Sequence, residues 1–417
     1  MGQNKTRKRG GKVIASGGFG CVFLPALKCK NKERNDRNIT KLMIKRDALK
    51  EYNEITEIKG RIKDIKQFDD LFLLDNIDIC EIDHLTKSDK ENFNKKCKPL
   101  KKDGITSKNI NNKLGKMLAL NLPWGGIPVD DYLFEHPSYA AFSRVNNGLI
   151  NLLENGIIHM NKRNVFHSDI KDSNVLIDDR ATASKLRLID WGLSVVLKNT
   201  NEIPKSWLKR PLQFNVPFSN IMFSDQFIYN YDKFLNNGEF TESSLYQFVE
   251  KYLIFWKKER GVGHLKYIMS IVDMLDNNGG GKTEKNLEEE ANTLITKYIL
   301  KILFKFTNKH KSAGHIMNLY MNQVYKFNID VWGLVTCYLP LIEVLHANNR
   351  VLSHSENELS NCIKGIIRDY LYNERTSDVK INTHALIKKM KHIQKMLVII
   401  PKRKKNKATR KKHSKIS

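Results

Sequence analysis

The stretch that decides the fold reads HSDIKDSNVLI and covers residues 167–177. Three of its side chains have complementary chemistry at a fixed spacing. The Asp169 carboxylate can accept a proton from a hydroxyl group. The Lys171 ammonium can neutralise a negatively charged group in transfer, and the Asn174 amide oxygen can ligate a metal ion. Residues 169–174 thus offer a proton acceptor, a cation and a metal ligand close together in the chain.

A second oxygen ligand follows at the end of an apolar strand, in the sequence LIDWG at residues 188–192. The acid in this strand end is Asp190. A hard Mg²⁺ ion that bridges phosphates prefers carboxylate and amide oxygens, so Asn174 and Asp190 are candidate metal ligands.

Two further patterns lie near the N-terminus. The sequence SGGFGCV, residues 16–22, stands between two strand-like segments, and its glycines would let backbone N–H groups approach phosphates. A glycine-rich hairpin without a ligand explains this pattern equally well. Lys41 lies on an apolar strand and requires a charge partner there. Glu51 and Glu54 of the next helix are the candidates, and Glu51 is preferred because it lies beside the apolar stripe of that helix.

These motifs, in this order, resemble the eukaryotic-type protein kinases, and the later sequence DVWG at residues 330–333 extends the match. The resemblance covers residues 12–400. The run FNVPFSNIMF, residues 214–223, is similar to the divergent kinases of large nucleocytoplasmic DNA viruses. The Lys-, Asn- and Ile-rich composition is typical of an A+T-rich genome, which agrees with a viral source.

The resemblance implies an α+β, two-lobed protein kinase-like fold with a small β-rich N-lobe and a larger, mostly helical C-lobe. The implied parts are a basic N-terminal segment at 1–11, the N-lobe at 12–122, the C-lobe at 123–400 with a helical insertion at about 220–329, and a basic tail at 401–417. The insertion either recognises a substrate or partner, or elaborates the packing without a separate function.

The resemblance also implies roles for individual residues, with ATP and Mg²⁺ as cofactors. Asp169, Lys171 and Lys41 are the implied catalytic residues, and Asn174 and Asp190 the metal ligands. The residues implied to bind ATP are Ala15, Ser16, Gly17, Gly18, Phe19, Gly20, Val22, Lys41 and Glu51. Residues 121–124 would form the hinge against the adenine ring, and Asp330 would steady the catalytic loop from a buried helix.

The sequence departs from the family pattern at several positions. Ala15 replaces the first loop glycine, and Trp191 replaces the Phe of D-F-G. Ser168 stands where the family has an Arg that pairs with a phosphate on the activation segment, here residues 192–217. This predicts activity without phosphorylation of that segment. Phe218 replaces a Glu whose usual partner would be Arg375, so that ion pair cannot form.

Composition and pattern set further expectations. Apolar residues make up 41% of the 417 residues, enough for a sizeable core, and the net charge is +26, which attracts polyanions. The six cysteines show no C-x-x-C spacing, which favours a soluble, reduced, intracellular protein. The apolar run 331–345 is too short and too interrupted to span a bilayer and predicts a buried helix. The sequence also predicts a helix capped by Asp47 and a long exposed loop at 86–116.

The termini suggest localisation and partners. Residues 1–6 fit the N-myristoylation pattern, with Gly2 as the acceptor and the following basic residues as an electrostatic signal for an anionic membrane. The tail at 401–417 is typical of a nuclear-import or polyanion-binding segment, or of a solubilising tail. Zinc motifs and RNA-recognition signatures are absent from the sequence, so specific nucleic-acid binding is not predicted.

The predicted function is therefore an ATP- and Mg-dependent serine/threonine protein kinase that acts on Ser/Thr hydroxyls of a protein substrate. Lys171, two residues after Asp169, is the Ser/Thr form of the motif. A pseudokinase or interaction scaffold that binds nucleotide without transfer is the alternative, favoured by the departures at residues 168 and 218. A small-molecule phosphotransferase is a third reading, and the DVWG segment disfavours it. The expected location is the host cytoplasm, a membrane through Gly2, or the virion.

Overall fold

The chain divides into two units, residues 1–126 and 127–417, so the division falls four residues after the predicted end of the N-lobe at 122. The structure is a computed structural model. It describes residues 11–35, 37–178, 185–237, 239–276, 282–347 and 351–413, without the side chains of 237 and 401–413. The sequence NNGGG at residues 277–281, which predicts a linker between two helical regions, and the Gly2 site lie outside the described residues.

The first unit contains a five-stranded antiparallel sheet. Its strands are β1 (Lys12–Ser16), β2 (Gly20–Leu24), β3 (Asn38–Ile44), β4 (Asp78–Cys80) and β5 (Met117–Pro123). Their order in the sheet is β1-β2-β3-β5-β4. The strand–turn–strand predicted around the glycine cluster is present as β1 and β2. Lys41 lies on the central strand β3, opposite Val22 and Leu120.

The helices of this unit differ from the predictions in two places. They are α1 (Lys45–Ile62), α2 (Phe68–Leu71), α3 (Phe93–Lys96) and α4 (Lys98–Lys102). The prediction that Asp47 caps this helix is wrong. The helix α1 begins at Lys45, directly after the extended Ile44, and Asp47 lies in its first turn. A carboxylate in the first turn still interacts favourably with the positive end of the helix dipole.

The predicted exposed loop at 86–116 is also wrong. It forms α3, α4 and a 3₁₀ turn at 110–116, and its few apolar side chains join the core of the sheet. The buried members of this stretch are Phe93, Cys97, Leu100, Ile105 and Ile110. Phe93, Cys97 and Leu100 have a helical spacing of four and three residues, but the many lysines around them hid this short pattern in the sequence.

Four of the six cysteines form disulfides in the first unit. Cys21 pairs with Cys97, and Cys29 pairs with Cys80, with Cα atoms 5.3 and 5.9 Å apart. Cys337 and Cys362 are free thiols. The expectation of reduced cysteines is therefore wrong for the four paired residues. The paired cysteines are 76 and 51 residues apart, and such distant pairing gives no local spacing signal.

The second unit is mainly helical and carries two small antiparallel sheets. The strands are β6 (Ile127–Pro128), β7 (Val165–Phe166), β8 (Val175–Ile177), β9 (Leu186–Leu188) and β10 (Val195–Val196), arranged as β6-β8-β9 and β7-β10. The first helices are α5 (Val129–Glu135), α6 (Tyr139–Asn151), α7 (Ile158–Lys162), α8 (Lys205–Leu208), α9 (Asp225–Asn237) and α10 (Glu242–Arg260). The others are α11 (Leu265–Leu275), α12 (Glu284–Phe306), α13 (Ala313–Tyr320), α14 (Lys326–Thr336), α15 (Leu339–His346), α16 (His354–Tyr370) and α17 (Thr383–His413).

The apolar run at 331–345 belongs to a longer helical stretch, Ala313–His346, that includes α13, α14 and α15. Within the described part of the chain, this stretch is the one that is long and apolar enough to cross a membrane. However, 89% of its most apolar window is buried inside the protein. The stretch is therefore part of the core of the second unit. This agrees with the prediction of a buried helix at 331–345.

The insertion at 220–329 is helical, as predicted, and contains α9 to α13. The region 240–275, which was predicted as one helical region, is divided into α10 and α11 by a turn at residues 261–264. Gly261 and Gly263 both have positive φ, at +78° and +54°, in this turn. L-residues other than glycine rarely adopt this conformation, which is why the helix stops there.

The two disulfides predict that reduction destabilises the first unit. Removing Cys29–Cys80 by a double Cys→Ser change should lower the free energy of unfolding by about 2–5 kcal/mol, because the cross-link restricts the unfolded chain. Urea unfolding with and without reductant measures this. Cys362→Ser is the matched control and should leave the unfolding midpoint unchanged. Six reactive thiols in the unreduced, denatured protein would contradict the pairing.

Candidate active site

The segment 167–174 connects β7 to β8 and is fixed by a carboxylate from the buried helix α14. Asp330 accepts hydrogen bonds from the backbone N–H groups of His167 at 3.0 Å and Ser168 at 2.7 Å. These bonds hold Ser168 at φ +63°, a conformation that costs free energy for a residue other than glycine. Burial raises the pKa of Asp330 to about 7. Asp330 thus occupies the structural position that the resemblance implied.

The contact between α14 and this loop is close enough to require a glycine. A Cβ atom on Gly333 would lie 2.4 Å from the backbone oxygen of Ile170. Any side chain at this position would push the loop away from the helix. The DVWG motif therefore supplies both the acceptor for the loop amides and the space for the loop backbone.

The Asp169 carboxylate is surrounded by four hydrogen-bond donors. Its Oδ2 accepts from Lys171 Nζ at 3.2 Å and from Asn174 Nδ2 at 3.0 Å. Its Oδ1 accepts from Asn215 Nδ2 at 2.9 Å and from Arg210 Nη2 at 3.3 Å. The structure therefore brings together the predicted Asp169, Lys171 and Asn174, and adds two residues of the activation segment.

Arg210 and Asn215 were missed by the sequence reasoning. Charged side chains are seldom fully buried without a partner, and Arg210 is only 4% exposed. Nothing in the local sequence distinguishes this arginine from the other basic residues of the chain. Asn215 lies two residues before Pro217, in the run that the family resemblance singled out, and this position was the available signal.

The two predicted metal ligands lie at the ends of paired strands. β8 and β9 pair with Val175 opposite Leu188, and the backbone N–H of Ile189 donates to the backbone oxygen of Asn174 at 3.1 Å. This pairing brings the backbone at Asn174 and Asp190 close together. Asp190 has φ +60° and is exposed.

The donor set at these two positions fits Mg²⁺. One amide and one carboxylate suit an ion that usually takes one or two protein carboxylates and completes its shell with waters and phosphates. Among the described residues there is no group of three or more His, Cys, Asp or Glu side chains that could hold a metal. A site of this kind would thus depend on the phosphates of a bound nucleotide.

Trp191 fills the position of the family's Phe by packing against the catalytic loop. Its ring is buried and lies 4.7 Å from the ring of His167. His167 is fully buried, its Nε2 contacts the backbone oxygen of Ile189 at 2.9 Å, and burial lowers its pKa. A neutral histidine and a large apolar ring are compatible neighbours, so the substitution at residue 191 is accommodated.

The glycine cluster in the first unit forms a hairpin turn. The N–H of Gly17 donates to the oxygen of Gly20 at 3.0 Å, and Phe19 is about half exposed at the tip. Ala15 and Ser16 on β1 pair with Val22 and Cys21 on β2. A Cβ on Gly20 would lie 2.7 Å from the backbone oxygen of Leu42, so this glycine is required by packing against β3.

Lys41 forms its ion pair with Glu51. The Lys41 Nζ lies 2.7 and 2.9 Å from the two carboxylate oxygens, and both side chains are buried. Glu54 instead lies 3.8 Å from Lys50. The preference for Glu51, which rested on the apolar stripe of α1, matches this geometry.

The predicted hinge residues 121–124 have other partners within the first unit. The Asn121 side chain is buried, accepts from Thr40 Oγ1 at 2.5 Å and donates to Cys29 Sγ at 3.2 Å. The N–H of Trp124 donates to the backbone oxygen of Arg37 at 3.2 Å. The Trp124 amide is therefore already used by the fold.

Phe218 replaces the missing ion pair with an aromatic cluster. Its ring is fully buried and makes edge-on contacts with Tyr298, Trp332 and Tyr372, with centroids 5.2 to 5.5 Å apart. Arg375, the usual partner of the family's Glu, is exposed. Offset and edge-on aromatic pairs add to the free energy of burial, so the end of the activation segment is anchored by apolar packing.

A cavity of about 420 Å³ lies beside the catalytic loop within the second unit. Its walls include Lys171 and three acids, Asp130, Asp172 and Glu343. The insertion contributes His264 and Tyr267, and the Tyr267 ring lies 4.6 Å from that of Phe214 in the activation segment. The insertion thus reaches the cavity beside Lys171.

Comparison with known proteins supports a protein kinase family. Residues 138–212 match the family model of the protein kinase domain. The matched part begins before α6 and includes the catalytic loop, Asp190 and part of the activation segment. None of the curated proteins compared with the chain matches it. A sheet-based first unit and a mainly helical second unit are compatible with a kinase-like fold.

The acids that line the cavity beside Lys171 predict that the stability of the folded protein depends on pH. Burial, and then the nearby Asp130, raise the pKa of Asp172 from 3.8 to about 6. Between these values the folded protein retains a proton that the unfolded chain has lost, so the stability contributed by Asp172 falls as the pH rises from about 4 to about 6.

The free energy of unfolding of Asp172→Asn, compared with that of the wild type, should therefore increase as the pH rises from about 4 to about 6. The increase should be at most about 3 kcal/mol and should level off above about pH 6. Urea unfolding at a series of pH values measures the difference. Ser173→Ala, a neighbouring change without a titratable group, is the control. A difference between Asp172→Asn and wild type that is the same at every pH would contradict the prediction.

Proposed function

We propose that the protein is an ATP- and Mg-dependent serine/threonine protein kinase that transfers the γ-phosphate of ATP to Ser/Thr hydroxyls of a protein substrate. The observation that carries this proposal is the geometry around Asp169. Its carboxylate is held by Lys171 and Asn174, in a loop whose backbone is fixed by Asp330. A fixed carboxylate beside a lysine suits the transfer of a phosphoryl group to a hydroxyl.

In this proposal, Asp169 orients the substrate hydroxyl and accepts its proton. Lys171, whose ammonium lies 3.2 Å from Asp169 Oδ2, neutralises charge on the transferring group. Asn174 and Asp190 would hold Mg²⁺, which neutralises the phosphate charge when it is bound. Preference for Ser/Thr rests on Lys171, which stands two residues after Asp169 as in the Ser/Thr kinases.

The first unit would contribute the nucleotide-binding residues. The resemblance assigns the turn at 16–20 to the ATP phosphates. Lys41 would bind the α- and β-phosphates, and its pairing with Glu51 at 2.7 Å supports this role because the ion pair fixes a flexible side chain. Gly17, Gly18 and Gly20 are proposed to cover the phosphates, because glycines leave the backbone of the turn open to close approach.

A nucleotide-binding scaffold without transfer is the second candidate. The observation that favours it is the full occupation of the Asp169 carboxylate, which accepts from Arg210, Asn215, Lys171 and Asn174. A substrate hydroxyl would have to bind in addition to, or in place of, one of these donors. A third reading, a small-molecule phosphotransferase, differs only in the acceptor.

The decisive test is the transfer of labelled γ-phosphate from Mg-ATP to a basic and an acidic protein acceptor. Asp169→Asn keeps the shape of the side chain and removes its negative charge, so it should lower the rate by about 10²–10⁴-fold. Amino-acid analysis of the product should give phosphoserine or phosphothreonine. The same substitution at the exposed Asp225, at the start of α9, is the matched control and should leave the rate unchanged.

Each other outcome identifies a different function. The absence of transfer in the wild type, with a melting temperature still raised by Mg-ATP, would support the scaffold. Transfer to a small hydroxyl compound but to neither protein would support the phosphotransferase. Equal rates in Asp169→Asn and wild type would exclude the proposed role of Asp169.

We further propose a viral source, a cytoplasmic location in the host and membrane association through the N-terminus. The proposal is supported by the myristoylation pattern at residues 1–6, by the basic residues that follow, and by the composition of the chain. A single acyl chain gives only marginal membrane binding, and adjacent basic residues supply the second signal. Packaging in the virion and contact of the tail at 401–417 with polyanions belong to the same proposal.

Acylation of Gly2 predicts a specific mass change. Expression with an N-myristoyltransferase should give an intact mass that corresponds to loss of Met1 and addition of one myristoyl chain. Gly2→Ala should retain only the loss of Met1 and should not bind anionic vesicles at physiological salt. A free amine on Gly2 in the wild-type protein would exclude the anchor.

A further inference from the structure

We propose that Trp207 and Arg210 fasten the activation segment to the catalytic loop without a phosphate, and that Arg210 is thereby a positioning residue for Asp169. The catalytic part of this inference rests on the proposed kinase function. The fastening itself is a property of the fold. It also explains how the chain dispenses with the arginine that the family has at position 168.

Arg210 uses all three nitrogens of its guanidinium group, and two of them contact the catalytic loop. Nη1 donates to the backbone oxygen of Ser168, and Nη2 donates to Asp169 Oδ1 at 3.3 Å. Nε donates to Gln213 Oε1 at 2.9 Å, within the activation segment itself. A planar guanidinium can satisfy three acceptors in fixed directions, which a lysine ammonium on a flexible stem does less well.

Trp207 makes the second attachment, at the position where the sequence departs from the family. Its indole Nε1 donates to Ser168 Oγ at 3.1 Å. The fully buried ring makes edge-on contacts with Phe166 and Tyr325, with centroids 5.8 and 5.2 Å away. Ser168 is small, and it provides an acceptor for the indole where a long basic side chain would occupy the space.

The insertion holds the activation segment from the other side. The N–H of His264 donates to the backbone oxygen of Leu212 at 2.9 Å, and a Cβ on Gly263 would lie 2.2 Å from the same oxygen. Asn220 Nδ2 donates to the oxygen of Pro211 at 2.8 Å. The part of the segment between Trp207 and Asn215 is thus bonded on both sides by the protein's own groups.

Two residues of the activation segment bond the same oxygen of the candidate base. Asp169 Oδ1 accepts from Arg210 and from Asn215, both of which belong to the activation segment. The orientation of the carboxylate therefore depends on the position of that segment. In the family this dependence is controlled by phosphorylation, whereas here the cation is supplied by the segment itself.

The test uses the full chain, with and without phosphatase treatment, and the variants Arg210→Gln, Arg210→Lys and Trp207→Phe. Trp207→Phe keeps an aromatic ring and removes only the N–H donor. Arg368→Gln on α16 is the matched control for the arginine substitution. Two quantities are measured: steady-state kinetics with Mg-ATP and a protein acceptor, and the rate of tryptic cleavage after the exposed Lys209.

Phosphatase treatment should leave the wild-type kcat unchanged. Arg210→Gln should lower kcat by about 10- to 100-fold, because hydrogen bonds to charged groups are lost, with the KM for ATP unchanged. Arg210→Lys should restore part of this loss, and Trp207→Phe should lower kcat by about 2- to 10-fold. Cleavage after Lys209 should be faster in Arg210→Gln and Trp207→Phe than in wild type and Arg368→Gln.

Three results would overturn the proposal. Arg210→Gln could have the kcat of the wild type, Arg368→Gln could lose as much kcat as Arg210→Gln, or phosphatase could inactivate the wild type. If Arg210→Gln does not fold, Trp207→Phe decides by the same two measurements. If the wild type transfers no phosphate, the proposed function fails, but the cleavage rates still test the fastening. Unchanged cleavage in both variants would then exclude it.

Discussion

The second unit depends on one buried carboxylate that receives two backbone amides. Asp330 on α14 binds the N–H groups of His167 and Ser168, and through them determines where Asp169 lies. This requires α14 to be fixed in the core, which the long buried stretch Ala313–His346 provides. It also requires close approach of loop and helix, which Gly333 permits. A carboxylate buried in this way is stable only while both amides are in place, so loop and helix form one structural element.

A second layer of order is added by segments that are far apart in the chain. The activation segment contributes Arg210 and Asn215 to Asp169, and the insertion binds the same segment through His264. The insertion also lines the acidic cavity beside Lys171 with Tyr267. The insertion thus contacts both the activation segment and the cavity beside Lys171.

The parts of the fold that could be predicted from sequence are those with local signals. The strands around the glycine cluster, β3, β5 and the buried helix of the DVWG segment follow from short-range apolar patterns. Glu51 was identified because its position on the helix face is a periodic property. By contrast, the disulfides, the buried stretch at 86–116 and the contacts of Arg210 depend on residues that meet only after folding. In the stretch 86–116 the local composition was misleading, because a few apolar residues among many lysines joined the core.

The aromatic cluster at Phe218 has a consequence for the conditions under which the protein keeps its activation segment in place. An ion pair is screened by salt, and its strength varies with ionic strength. The contacts of Phe218 with Tyr298, Trp332 and Tyr372 are not screened, and salts that are excluded from protein surfaces strengthen them. These contacts stabilise the segment less at low temperature, because the hydrophobic contribution to the free energy of folding declines on cooling. An anchor of this type should therefore hold over a wide range of ionic strength and weaken on cooling.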